Sequence, residues 1–366
     1  MINKYKKFVL AFAISLPLLV SIHYIAWIKY TSHVLLVQDN IYTGDLGRMS
    51  LYPDSAFPRQ AYPSKNSITL PKQHFDFNYW FNNGKKEKID MLTIGDSFSN
   101  AATQGKNPFY QDYIASYNNF NILNITLLPR TLNYIESVML LLNSGVLDEI
   151  NPKYILIESV ERFSIDRFAI DTNFKINGEK EILISELIKQ RSPYLGKDED
   201  IKFINDKNFT ALKNNLLYNF VERPFGSKCY KTELVDDFFT SKDKNSLLYY
   251  KGDIDSLYKA TEDNIKKLNS NFNKLGKILE KKGIKLIFMP AVDKYTLYSK
   301  FIIDKKHPDS VFFESLRKLD KNYIFIDTKK ILLNTLINNR VKDLYYPDDT
   351  HWSFKAPEII FRIQKF

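Results

Sequence analysis

The pattern of apolar and polar positions predicts alternating strands and helices from about residue 88 to the end of the chain. Short, nearly continuous apolar runs indicate buried strands, and apolar residues three and four positions apart indicate helices packed on them. Strands are predicted at 88–95, 121–128, 153–160, 284–290 and 323–327. Helices are predicted near 109–117, 131–143, 256–282, 308–319 and 329–337, and from 355 onward. This alternation is typical of a parallel sheet covered on both faces, so we expect an α/β fold with three α/β/α layers.

Two regions depart from this pattern. Residues 31–87 are rich in proline and tyrosine, and they predict irregular chain that wraps around the domain. Residues 161–257 are polar and irregular, with aromatic pairs such as Phe238 and Phe239. We interpret them as an insertion, a lid or a substrate-binding subdomain, within an α/β domain that spans residues 88–366.

The N-terminus predicts a membrane anchor. Lys4, Lys6 and Lys7 precede a run from residue 8 to about residue 27 without charged side chains, and about 20 apolar residues span a bilayer as a helix. A cleaved signal peptide has a shorter apolar region and a small-residue cleavage site, so an uncleaved signal anchor over residues 1–30 is favoured. A buried soluble helix is the other alternative, which an apolar character on all faces disfavours. The lysines should stay in the cytoplasm, which predicts a single-pass protein of the cytoplasmic membrane facing the periplasm or cell exterior.

Composition and charge narrow the classes of function. The formal charge of the 366 residues is +10, but the lysines are scattered, which argues against a nucleic-acid-binding stripe. Cys229 is the single cysteine, so the chain has neither an internal disulfide nor a thiolate metal site.

The stretch MLTIGDSFSN, residues 91–100, predicts a buried strand that runs into a tight turn at Gly95. Ser97 then lies at the C-terminal edge of the sheet, where open α/β folds place their ligands. If a helix begins there, backbone N–H groups are available to stabilise an oxyanion. The alternative is a serine that only caps a helix.

The stretch YYPDDTHWSF, residues 345–354, supplies the matching base. A serine hydroxyl is a weak nucleophile and needs a base, and a catalytic histidine needs a carboxylate to fix its tautomer. His351 follows Asp348 by three residues and Asp349 by two. Because Ser97 and His351 would both lie at C-terminal strand edges or in the loops beyond them, we expect them to meet at one face of the sheet. An incidental histidine in a surface turn is the alternative.

These residues resemble a known family. Gly95-Asp96-Ser97 followed much later by an aspartate and a histidine resembles the SGNH (GDSL) hydrolase superfamily. Asp349-Thr350-His351-Trp352 is similar to the Asp-x-His-Trp motif of the alginate O-acetyltransferase family. The stretches ESVER (158–162) and PAVDKYTLY (290–298) are similar to two further motifs of that family. The resemblance covers about residues 85–165 and 280–366.

The resemblance implies an SGNH-like fold and an O-acetyltransferase of a cell-envelope polysaccharide, which uses Ser97 as nucleophile and His351 as base. The Asp-x-His-Trp motif selects Asp349 to orient the histidine, whereas the Asp-x-x-His pattern of ordinary SGNH enzymes selects Asp348. No metal or other cofactor is implied. A multi-spanning membrane partner of the MBOAT type, which exports the acetyl group, is implied by the resemblance alone.

The chain also departs from the family pattern. The alginate proteins have their Asp-His motif before the serine, and the superfamily's oxyanion glycine and asparagine have no counterpart after strands two and three. Arg162 is therefore a candidate for stabilising the oxyanion, with a structural salt bridge to Glu158 or Glu161 as the alternative. Lys294 and Tyr298 are candidates for the substrate groove or for plain surface positions. Two other functions stay open: a carbohydrate esterase with the same triad, and a non-catalytic polysaccharide-binding or assembly factor.

Overall fold

The computed structural model describes residues 2–31, 43–52, 68–82, 87–102, 107–190 and 203–366. Within these ranges the protein is a mixed α/β structure with a central parallel sheet and a separate antiparallel pair of strands. The six strands of the central sheet are β1 (Phe75–Asp76), β2 (Met91–Ile94), β3 (Ile122–Ile125), β4 (Tyr154–Val160), β7 (Lys285–Ala291) and β8 (Ile324–Phe325). The antiparallel pair is formed by β5 (Cys229–Glu233) and β6 (Ser246–Tyr250).

Fifteen α-helices lie in the described ranges. In chain order they are α1 (Ile2–Ala26), α2 (Asp45–Ser50), α3 (Phe77–Asn82), α4 (Tyr110–Asn118), α5 (Tyr134–Asn143), α6 (Val146–Ile150), α7 (Glu161–Phe168), α8 (Lys180–Lys189), α9 (Asp206–Leu217), α10 (Lys251–Leu257), α11 (Glu262–Glu280), α12 (Lys294–Tyr298), α13 (Phe312–Arg317), α14 (Thr328–Asn339) and α15 (Lys355–Ile363).

The strand order of the central sheet is β1-β3-β2-β4-β7-β8. Leu92 of β2 lies opposite Leu123 of β3 on one side and Ile155 of β4 on the other. The chain moves from β2 to β3 in one direction and then crosses back to β4, so the winding reverses between β2 and β4. The carboxyl ends of strands at such a reversal point border the crevice in which open α/β sheets bind ligands.

Burial explains why these segments form a covered sheet. The consecutive residues Ile155, Leu156 and Ile157 of β4 are all fully buried, so helices cover both faces of the strand. The long helix α11 contributes apolar residues at alternating spacings of three and four: Ile265, Leu268, Phe272, Leu275 and Leu279. The ring of Phe272 stacks on that of Phe288 in β7, with centroids 4.1 Å apart.

The five predicted strands and the α/β class are confirmed, with three corrections. The sequence pattern missed the edge strand β1, which has only two residues and pairs with β3. The helix predicted over residues 256–282 is two helices, α10 and α11, because the Thr261 side chain accepts a hydrogen bond from the Asn264 N–H and starts α11 afresh.

The third correction concerns residues 161–257, which are less irregular than predicted. Their described part contains α7 to α10 and the β5–β6 pair. Phe239, Leu247 and Tyr249 are fully buried in the same apolar cluster as the central sheet. In the range 31–87, residues 32–42, 53–67 and 83–86 lie outside the described part. The described remainder contains α2, β1 and α3 as well as irregular chain.

The N-terminal helix α1 continues into a π-helical turn, Trp27–Thr31. It is long and apolar enough to cross a membrane, and the most apolar part of it makes no buried contact with the rest of the protein. The exposure of this surface excludes the interpretation as a buried core helix.

Candidate active site

Ser97 lies in the turn that follows β2, at the edge of the sheet where the winding reverses. Gly95 starts this turn because a larger residue does not fit. A Cβ atom there would lie 2.1 Å from Ser99 Oγ and 2.4 Å from Glu158 Oε2. The close approach of this turn to Glu158 therefore requires glycine at position 95. Ser97, two residues later, is partly exposed to solvent.

His351 connects Ser97 to Asp349. Its Nε2 lies 2.7 Å from Ser97 Oγ, and its Nδ1 lies 2.7 Å from Asp349 Oδ1. The same carboxylate oxygen accepts the backbone N–H of His351 at 3.0 Å. The Phe98 ring packs against the imidazole, with centroids 4.6 Å apart. With its proton on Nδ1, the imidazole has its Nε2 lone pair directed at the Ser97 hydroxyl, which is the arrangement of a serine nucleophile and its base.

The two candidate aspartates have different positions. Asp349 contacts His351, whereas the Asp348 carboxylate accepts the Gly44 N–H at 2.7 Å and is fully buried. Gly47 of α2 also donates its N–H to the Asp348 backbone oxygen at 2.9 Å. The geometry therefore favours Asp349 as the partner of the histidine and gives Asp348 the task of holding α2.

Asp45 of α2 is a second acidic residue at the site, which the sequence interpretation missed. Its carboxylate accepts the Thr350 N–H at 2.7 Å and the Thr350 hydroxyl at 2.5 Å. Its Oδ2 lies 3.9 Å from His351 Nδ1. Desolvation and the neighbouring charge of Asp349 raise the pKa of Asp45 to about 6. No local sequence signal marks Asp45, because its contacts are with residues about 300 positions later.

Two buried carboxyl groups support the turn beneath Ser97. Glu158 accepts the Asp96 N–H at 3.0 Å and the Ser99 hydroxyl at 2.7 Å. Burial and the charge of Asp96 raise the pKa of Glu158 well above its ordinary value. Burial acts the same way on Asp96, but the charge of Arg167, at 2.5 Å, and the accompanying hydrogen bonds prevail and hold the pKa of Asp96 below its ordinary value. The turn is thus held by two acids whose pKa values are shifted in opposite directions.

Arg162 lies behind Thr350 and forms a buried salt bridge. Its Nη1 lies 2.7 Å from Asp293 and 3.4 Å from Asp253, and its Nη2 donates to Thr350 Oγ1 at 3.4 Å. A salt bridge was the alternative interpretation of this residue, but the predicted partners Glu158 and Glu161 were wrong. Two carboxylates offset the charge of Arg162, so these contacts favour a supporting position over an oxyanion-stabilising one.

Lys294 and Tyr298 were predicted to line a groove or the surface, and both predictions are wrong because both side chains are fully buried. Lys294 Nζ donates to the backbone oxygens of Tyr346, Pro347 and Asp349 at 2.8, 2.8 and 3.1 Å. Burial lowers the pKa of Lys294 to about 8. Lys294 therefore holds the loop that carries Asp349 and His351.

The Ser97 N–H donates to no acceptor among the described residues, whereas the Phe98 N–H is engaged by Asp96 Oδ1 at 3.2 Å. This leaves the Ser97 N–H available to an oxyanion, although Ser97 lies in a turn and not at the start of a helix. The side chains of Asp45, Asp349 and His351 bring ligand atoms within 4.8 Å of one another, a spacing that suits a cation. A cation there would compete with the hydrogen bond between Asp349 and His351.

Comparison of the chain with known family models and with curated proteins found no match. Any statement about activity therefore depends on the geometry of the site and on the motif resemblance.

Proposed function

We propose that this protein is a membrane-anchored O-acetyltransferase that modifies a cell-envelope polysaccharide through an acetyl-enzyme on Ser97. One observation supports the chemistry above all others: Ser97, His351 and Asp349 form a continuous chain of 2.7 Å contacts at the carboxyl edge of a parallel sheet. Ser97 and His351 are 254 positions apart in sequence. A structural role for a serine and a histidine does not require this alignment with a buried carboxylate.

In the first half-reaction His351 Nε2 takes the hydroxyl proton of Ser97 as Oγ attacks the carbonyl carbon of an acetyl donor. Asp349 stabilises the resulting imidazolium through Nδ1–H. The Ser97 N–H donates to the tetrahedral oxyanion. The intermediate then collapses: the bond to the leaving group breaks, His351 returns its proton to that group, and the acetyl ester of Ser97 remains.

In the second half-reaction a sugar hydroxyl replaces the donor. His351 takes the proton of this hydroxyl, whose oxygen attacks the ester carbonyl. The bond to Ser97 Oγ breaks, and Oγ recovers the proton from His351. The acetyl group is then on the sugar and the enzyme is regenerated without a metal or nucleotide.

The choice of an acetyltransferase is supported by the resemblance of Asp349–Trp352 to the Asp-x-His-Trp motif, together with the mixed α/β fold and its central parallel sheet. The apolar helix α1 supports anchoring, and the lysines before it favour a site that faces the periplasm or the cell exterior. In this setting the polysaccharide is the acceptor, and an MBOAT-type membrane protein supplies the acetyl group.

The test uses the purified full-length protein in detergent with an activated acetyl ester and candidate envelope oligosaccharides. Mass spectrometry of the products should show acetylated oligosaccharide with the wild type and none with Ser97→Ala. Release of free acetate alone, at a rate unaffected by the oligosaccharides, would instead indicate an esterase. Restoration of envelope acetylation in a deletion strain by Ser97→Ala would contradict catalysis and favour an assembly factor.

A further inference from the structure

Helix α9 is amphipathic in the opposite sense to a helix of a water-soluble protein. It buries Asn208, Ala211 and Asn214. It exposes Phe209 and Leu216, whose accessible fractions are 71% and 63%. A helix at an aqueous surface turns its apolar side inward and its polar side to water.

The apolar surface continues beyond the helix. Phe220 and Phe225, in the chain that follows α9, are 77% and 92% exposed. Lys213 of the helix donates to the Phe225 backbone oxygen at 2.8 Å, which ties this chain back to α9. Phe209, Leu216, Phe220 and Phe225 are called the α9 surface below. An exposed apolar surface of this kind on a folded protein marks an interaction site.

Specific hydrogen bonds fix the orientation of α9. Asn214 and Asn215 donate side-chain N–H groups to the backbone oxygens of Ser50 and Leu51, at 3.2 and 2.7 Å. Asn208 donates to the Phe203 backbone oxygen at 2.7 Å. The side-chain N–H groups of this polar face therefore have partners, and these hydrogen bonds direct the apolar residues outward.

The start of α9 lies against the C-terminal end of α1. Asn208 Nδ2 lies 3.3 Å from Nδ1 of His23 in α1. The Phe203 ring, just before α9, lies 6.5 Å from the Tyr24 ring and 6.2 Å from the Trp27 ring. The uncharged run from residue 8 to 27 is about 30 Å long as a helix, the thickness of the hydrocarbon layer. Tyr24 and Trp27 thus lie at the end of the span, where aromatic residues line the membrane interface.

We propose that the α9 surface lies in the lipid interface, with its aromatic and leucine side chains among the headgroups and upper acyl chains. The inference rests on the proposed anchoring of the protein through α1. Helices with an apolar face, basic residues such as Lys213, and phenylalanine or leucine on the buried side bind lipid in this way. α9 also contacts the C-terminal end of α2, through Ser50 and Leu51.

The experiment places an environment-sensitive fluorophore on single cysteines of the full-length protein in nanodiscs of phosphatidylcholine and phosphatidylglycerol. The labelled variants are Phe209→Cys and Phe220→Cys, with Phe225→Cys as a further position. Lys281→Cys is the control, because Lys281 is exposed and lies before the amino-terminal end of β7. Asp348 and Thr350, which contact α2, lie at the site beyond the carboxyl ends of the strands. The wild type measures background labelling, since its Cys229 is buried.

We expect blue-shifted emission at positions 209 and 220, quenching by doxyl-labelled lipid, and protection from iodide, with the opposite behaviour at position 281. Water-exposed probes at 209 and 220 in protein that co-elutes with nanodiscs would overturn the inference and leave the anchor intact. Elution of the chain without lipid would overturn the anchor as well. Shielding that occurs only in native membranes, with cross-linking from position 209 or 220 to another protein, would assign the surface to a protein partner instead of lipid.

Discussion

Replacement of Asp349 by asparagine, with Asp348→Asn as the matched control, tests the most specific feature of the site. The two residues are adjacent, both are acidic and both are buried. Of the two, Asp349 contacts the imidazole: its Oδ1 lies 2.7 Å from Nδ1. The same oxygen accepts the backbone N–H of His351 at 3.0 Å. The pair therefore separates the loss of a histidine partner from the loss of a negative charge in this loop.

The expected magnitude follows from the geometry. Asp349 Oδ1 accepts both the backbone N–H and the Nδ1–H of His351, so one atom of the asparagine amide has to serve both contacts. An amide oxygen in that place keeps both hydrogen bonds but lacks the negative charge that stabilises the imidazolium. An amide NH₂ in that place moves the imidazole proton to Nε2, which then no longer takes the Ser97 proton. In serine hydrolases this exchange lowers kcat about 10⁴-fold, which corresponds to about 5.5 kcal/mol of transition-state stabilisation. In Asp348→Asn an acceptor oxygen remains for the Gly44 N–H, so we expect a stability loss of about 1 kcal/mol and less than a tenfold effect on kcat.

The assay is hydrolysis of p-nitrophenyl acetate by full-length protein, with near-UV circular dichroism to verify the fold of each variant. The reasoning predicts a large loss of kcat in Asp349→Asn and a small one in Asp348→Asn. A folded Asp349→Asn variant with nearly wild-type kcat, beside an inactive Asp348→Asn variant, would refute the assignment and restore the Asp-x-x-His alternative.

Four further substitutions test the surroundings of the site. Asp45→Asn keeps an acceptor for Thr350 but removes a charge 3.9 Å from His351, so kcat/KM should fall severalfold, by about 1 kcal/mol. The wild type should lose this contribution as the pH falls through about 6, because Asp45 is then protonated; identical pH profiles would contradict this role. Lys294→Met leaves three loop carbonyls without their donor, so the free energy of unfolding should fall by about 3 kcal/mol or more. Tyr298→Phe, which removes a hydroxyl without a partner among the described residues, should be nearly neutral in the same denaturation assay; equal stability of these two variants would refute the role of Lys294. The raised pKa of Glu158 means that the folded protein keeps this proton at pH values where the unfolded chain has lost it. The free energy of unfolding should therefore fall as the pH rises from about 4.5, by up to about 1.4 kcal/mol per pH unit. Urea titrations of Glu158→Gln should lack this pH dependence.

The strands and the turn that carries Ser97 were predictable because their sequence signals are local. A buried strand reads as a short apolar run, and Gly95-Asp96-Ser97 reads as a break in it. The pairing of Ser97 with His351 was also predictable, since residues at the carboxyl ends of parallel strands share one edge of the sheet. The choice between the two aspartates was left open because one family pattern selects the residue two positions before the histidine and the other selects the residue three positions before it. The path of the loop decides between them.

The supporting residues were not predictable, because their positions depend on distant contacts. Arg162 pairs with Asp253 and Asp293, which lie 91 and 131 positions away, and no sequence pattern linked either aspartate to Arg162. Lys294 was expected in the substrate groove or at the surface, yet it is buried, and three backbone oxygens compensate for its burial. Asp45 follows the N-terminal helix α1 in sequence, in a region where the sequence predicted only irregular structure.

The central claim is that Ser97 forms an acetyl ester assisted by His351, and intact-mass spectrometry tests it most directly. Full-length protein would be mixed with p-nitrophenyl acetate, quenched in acid within the first turnover, and compared with Ser97→Ala and His351→Ala. The account predicts one added acetyl group on the wild type, which maps to the peptide containing Ser97. It predicts no adduct on Ser97→Ala and much slower formation on His351→Ala. An acetyl group on another residue, or an equal adduct on Ser97→Ala, would contradict the account.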